Sequence, residues 1–145
     1  MELNQNGPTI VPTLRYHDAP GAIRFLTEAL GLTAGEITNG PDDRVVHAEL
    51  GWGNGTLMVS SRSDQPSPFD TGRACLYLVV EDPDALHARA VAAGAEIVMP
   101  LVDQAYGSRE FAARDPEGNV WCCGTYRPAP IAQSAQQPIQ QSARS

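Results

Sequence analysis

Gly55 stands 63 residues before Gly118, and the same step carries Pro20, Ala22, Ile23, Ala29 and Gly31 onto Pro83, Ala85, Leu86, Ala92 and Gly94. Self-similarity at one spacing is the mark of a tandem duplication. It constrains the chain severely, because both copies must build the same unit and bury their apolar faces within one body.

The second copy is the more legible. Arg109 to Tyr126 reads R-E-F-A-A-R-D-P-E-G-N-V-W-C-C-G-T-Y, two strand-like runs around D-P-E-G-N. Pro presets φ, Gly accepts positive φ, and Asp and Asn side chains bond nearby backbone, so this is a hairpin. The first copy repeats the grammar, with His47 to Leu50, then Gly51-Trp52-Gly53-Asn54-Gly55, then Thr56 to Ser60. Upstream, each copy has a strand, at about Ile10 to Tyr16 and Ala74 to Val80. A helix follows in each. Ala19, Ala22, Ile23, Leu26 and Leu30 form one stripe, and Leu86, Ala90 and Ala93 another. Gly31 and Gly94 are their stops.

A β-α-β-β-β unit repeated once, with D-P-E-G-N before its last strand and Y-G-S-R-E before the penultimate one, resembles the vicinal oxygen chelate superfamily. That group includes glyoxalase I, extradiol dioxygenases, fosfomycin-resistance enzymes and bleomycin-binding proteins. The resemblance implies an α+β fold in which tandem βαβββ modules form a cup-shaped, curved mixed sheet. The modules are expected at residues 9–63 and 73–127, with Asp64 to Thr71 as linker and 128–145 as a flexible tail poor in large apolar residues.

The resemblance also implies where a metal would sit. The four strand positions that carry His, Glu or Gln in the catalytic members fall here on Val11, Val59, Cys75 and Cys122. Valine cannot ligate, and two thiols alone make a poor zinc site. No metal and no other cofactor is therefore expected.

Period two along strands assigns other residues to the same face. Val11, Thr13 and Arg15 go with Leu57, Val59 and Ser61; Cys75, Tyr77 and Val79 go with Val120, Cys122 and Gly124. The expected lining is mostly apolar, with one arginine, one tyrosine and two thiols, the profile of a small-molecule pocket. Arg15 either meets an anionic group inside the cup or reaches water at its rim. His47 and Glu49 share a face, which suits acid-base or metal chemistry if inward and is a polar pair if outward. Tyr106 to Arg109 is either a flap over the mouth or a plain turn. Cys75 and Cys122 either grip a soft ligand or are small buried hydrophobes.

The net charge of −7 and pI near 4.8 exclude the basic footprint of a nucleic-acid binder. No apolar run is long enough to span a membrane. Three cysteines without a secretory signal point to a reducing cytoplasm. The expected function is metal-independent binding or sequestration of a small organic molecule, of the bleomycin-resistance type. The alternative is a lyase, isomerase or dioxygenase with non-standard ligands. The resemblance implies a homodimer.

Overall fold

A computed structural model describes residues 7–131. Most of the tail expected at 128–145, from residue 132 on, lies outside the described residues. The first half runs β1 (Thr13–Tyr16), α1 (Ala19–Glu28), β2 (Thr33–Asn39), β3 (Val45–Trp52) and β4 (Gly55–Ser61). The second runs β5 (Cys75–Val79), α2 (Pro83–Ala92), β6 (Glu96–Asp103), β7 (Arg109–Arg114) and β8 (Val120–Gly124). Each half is a four-stranded mixed sheet, ordered β1-β4-β3-β2 and β5-β8-β7-β6. The architecture is the α+β arrangement of paired curved sheets that the superfamily resemblance implied.

Both helices start by the same local chemistry. The carboxylate of Asp18 accepts from Gly21 N, and that of Asp82 from Ala85 N, each at 3.0 Å, with a proline in the first turn. The helices lie close on their sheets because alanines face inward: Ala19, Ala22 and Leu26 from α1, with Leu86 and Ala90 from α2, are buried. Gly31 at φ 85 and Gly94 at φ 84 turn the chain out of each helix in the left-handed region.

One core serves both halves, uniting Tyr16, Leu26, Leu50 and Val59 with Leu78, Phe111, Trp121 and Cys123. Polar bonds stitch the same seam. The hydroxyl of Tyr16 donates to Asp115 Oδ2 at 2.6 Å, and Trp121 Nε1 donates to the same oxygen at 3.1 Å. Burial, reinforced by Asp115, pushes the Tyr16 phenol far above its usual range. The second half also finishes both ends of α1, whose own end turns carry no complementary charge. Glu117 accepts from His17 N and Asp18 N, each at 2.7 Å, while Arg89 donates to the carbonyls of Glu28 and Thr27 at 2.9 and 3.0 Å.

The repeat is not held at one step. The two capping aspartates, Asp18 and Asp82, are 64 apart, whereas the glycines that follow the helices remain 63 apart. The strand register shows the same slip: Thr13 pairs with Met58, and its counterpart Tyr77 pairs with Cys122. The cause is loop length. Gly51 pairs with Thr56 across four residues, while its counterpart Arg114 pairs with Val120 across the five of D-P-E-G-N.

Candidate functional site: the open faces of the two sheets

The slip in register changes the lining, since one residue along a strand is the other face. Val59, expected in the cup, pairs with Leu14 and Ala48 and is buried beneath the helix. Leu57 and Ser61 share its parity and are also buried. The side chain facing away from α1 is Met58, in a row with Thr13 and Glu49. Val11 precedes β1, which begins at Thr13 rather than at Ile10.

On the open face of the first sheet, His47 Nε2 and Glu49 Oε2 are 3.0 Å apart and both side chains are partly solvated. Arg15 donates to Ser61 O at 3.2 Å and Ser63 Oγ at 3.1 Å, and its Nε is 3.6 Å from Asp70 Oδ1. Its charge is thus met by the linker.

The second sheet holds the denser constellation, around a residue the sequence reading passed over. Glu110 is only 3 % exposed. Its Oε2 accepts from Tyr77 OH at 3.0 Å, and its Oε1 from Tyr106 OH at 2.9 Å and Gln104 Nε2 at 3.3 Å. Ser108 Oγ lies 3.3 Å from Tyr77 OH, and Tyr126 N donates to both of these oxygens at 3.1 Å. The space exists because position 124 is glycine: a Cβ there would collide with Glu110 Cγ and the Tyr77 hydroxyl. Gly107, at φ 93, lets the chain fold Tyr106 back onto Glu110. Position 110 is the counterpart of His47 at the 63-residue step, a signal already present in the repeat.

The electrostatics follow from these bonds. Burial opposes the charge on Glu110, but the Tyr106 hydroxyl first, then the neighbouring Ser108 and Tyr77 hydroxyls and the Gln104 amide, outweigh it and hold the carboxyl below its ordinary range. The Glu110 hydrogen bond, with some burial, pushes the Tyr106 phenol up to about 12. Burial chiefly raises Tyr77 as well, with Glu110 acting in the same direction. Cys122 is pushed up to about 11 by burial and then by Glu110 and Cys75.

Of the other expected residues, Cys75 is exposed on β5 and Cys122 half-buried on β8, both on the open face with Tyr77. Cys123 points the other way into the core. Arg109 lies on the opposite side of β7 from Glu110, bonded to Asp84 at 2.7 Å and Asp103 at 3.2 Å. His47 and Glu49 do not join the Glu110 group; each cluster bonds within its own sheet. Between the halves lie two further cavities. One of about 260 Å³ is bordered by Pro12, Trp52, Leu76 and Val79, and one of about 730 Å³ by Arg15, Arg62, Arg73 and Arg114.

A family model for the glyoxalase/bleomycin resistance protein/dioxygenase superfamily matches residues 9–123. The chain belongs to this superfamily. An uncharacterised Mycobacterium bovis protein is 32 % identical over 125 residues, covering 81 % of this chain and 82 % of the relative. TioX from Micromonospora sp. ML1 is similar in structure with a TM-score of 0.70 at 28 % identity, covering 86 % of this chain and all of that one. A glyoxalase I mutant from Zea mays shares the fold, with a TM-score of 0.64 at 19 % identity, covering 81 % of this chain and 44 % of that one. The metal implied by glyoxalase-type superfamily members does not fit the donors present. With the register corrected, the four positions carry Val11, Met58, Cys75 and Cys122. Among the described residues, no three His, Cys, Asp or Glu side chains are grouped to hold an ion.

Proposed function

We propose that this superfamily member binds a small organic molecule on the open face of the second sheet, and that no divalent metal takes part. The observation that carries this reading is the donor set: the positions that would need imidazole or carboxylate hold Val11, Met58, Cys75 and Cys122, a combination with no hard donor and too few thiolates for zinc. Tyr77, Tyr106 and Cys122 supply apolar surface beside the Glu110 carboxylate, the mixture expected of a ligand site. Thr13, Arg15, His47, Glu49 and Met58 are the corresponding surface of the first sheet. A homodimer, as the superfamily resemblance implies, is part of the proposal and is checked by light scattering on the eluting peak.

The deciding experiment is elemental analysis of protein purified without chelators or an affinity tag, followed by a thermal-shift screen of small organic molecules. Metal well below one equivalent together with ligands that raise the melting temperature supports the reading. One equivalent of Fe, Mn, Ni or Zn per chain sinks it. The second reading, an enzyme, draws on the 3.0 Å His47–Glu49 bond, a pair able to move a proton. Turnover that vanishes in His47→Gln would favour it.

A further inference from the structure

Resting on the binding reading above, we infer that the Glu110 site takes an organic cation: a small ammonium compound with an apolar body, its charge lying among the rings of Tyr77, Tyr106 and Tyr126.

The first ground is an unbalanced charge. Glu110 is almost wholly buried, yet none of the ion pairs among the described residues includes it. The neighbouring cation, Arg109, is turned to the other side of β7 and held by two aspartates. A buried carboxylate without a counter-charge is costly. Three donors offset that cost here, but a carboxylate offers about four acceptor sites. Asp115 makes the contrast plain, because it accepts five hydrogen bonds, three from the buried side chains of Tyr16, Trp121 and Asn119 and two from the backbone at Glu117 N and Asn119 N, and is sealed in the seam. Glu110 has fewer donors, and what covers it is open to solvent.

The second ground is the cover itself. Of the four tyrosines in the chain, one is the buried Tyr16; the other three gather here and remain 38 %, 62 % and 49 % exposed at Tyr77, Tyr106 and Tyr126. The rings of Tyr106 and Tyr126 meet edge to face with centroids 6.1 Å apart. Electron-rich ring faces grouped around a negative charge attract a cation by both mechanisms at once. Beside them, Ala112, Cys122 and Met99 form one cross-strand row, an apolar strip for the body of the ligand. The chain's net charge of −7 draws cations toward the surface and repels anions.

The test compares three probes of one shape and different charge on the full chain by calorimetric titration: 2-phenylethylammonium, 2-phenylethanol and phenylacetate. The ammonium is expected to bind roughly tenfold more tightly than the alcohol, with phenylacetate weakest and the gap shrinking as salt is added. Glu110→Gln should erase the gap between the ammonium and the alcohol. Tyr106→Leu, at a ring that is 62 % exposed and outside the core, should narrow the gap and keeps the test available if the Glu110 variant does not fold. Equal binding of all three probes overturns the cation inference and leaves the binding reading standing. A gap untouched in both variants also overturns it, because the charge would then be read elsewhere. Stoichiometric metal with no probe bound overturns the binding reading itself.

Discussion

Tyr16 of β1 and Asp115, at the start of the turn leading into β8, are joined by a 2.6 Å hydrogen bond between residues 99 apart in sequence. Both groups are buried, so Tyr16→Phe leaves the acceptor short of a donor. The expected cost is about 1–3 kcal/mol, read as a lower urea midpoint at unchanged slope. A variant as stable as the parent would mean that this bond does not help hold the halves together.

The corrected register of β4 makes an asymmetric prediction for neighbours. Val59 is packed between Leu14 and Ala48 under the helix, whereas Met58 looks outward. Val59→Ala should cost about 2 kcal/mol through lost burial and an unfilled cavity, and Met58→Ala less than about 1 kcal/mol. The reverse order in chemical denaturation would restore the alternative parity.

The three thiols should separate cleanly. Cys75 is exposed, Cys122 is half-buried with its thiol pushed up to about 11, and burial pushes Cys123 up to about 12. The thiolate is the reacting species. Titration with a disulfide reagent at mildly alkaline pH should therefore show one fast thiol, one slow, and a third that reacts only on unfolding. Two equally fast thiols would contradict this arrangement of β5 and β8.

Acid should reveal the Glu110 network. Its folded-state pKa is depressed, so its contribution to stability is complete above the ordinary carboxylate value and is lost as pH falls through the folded one. Glu110→Gln should lower the melting temperature at neutral pH and flatten its decline on acidification. Parallel curves for the variant and parent would show that Glu110 is not the titrating group.

Glu117 and Arg89 should matter more than surface charges usually do, because each completes an end of a helix in the other half. Replacing either by alanine should cost about 1 kcal/mol. An effect on stability within error for both would show that α1 is satisfied by water at its ends.

The duplication, the helix starts at Asp18 and Asp82 and the D-P-E-G-N hairpin were all legible, because each depends on local backbone chemistry that particular residues impose. The lining of the first sheet was not. Val59 and Met58 differ by one position, and which of them faces outward is set by a turn one residue shorter than a strict repeat allows. Glu110 was missed for a related reason: it reads as one more charge beside Arg109 in a strand, and only the fold brings Tyr77 onto it from β5 and turns Gln104 and Tyr106 back from the loop before β7. Arg109 was over-read, since parity sends it to Asp84 and Asp103 on the far side.

The two acids of the D-P-E-G-N turn serve the joint between the halves. Asp115 and Glu117 are occupied with Tyr16, Trp121 and the start of α1. These letters are therefore a signature of how two copies were welded into one body, and chains that retain the weld are free to diverge in what their sheets carry. The turn thus reports on the joint, while positions 58, 77, 110 and 122 report on the chemistry of the open faces.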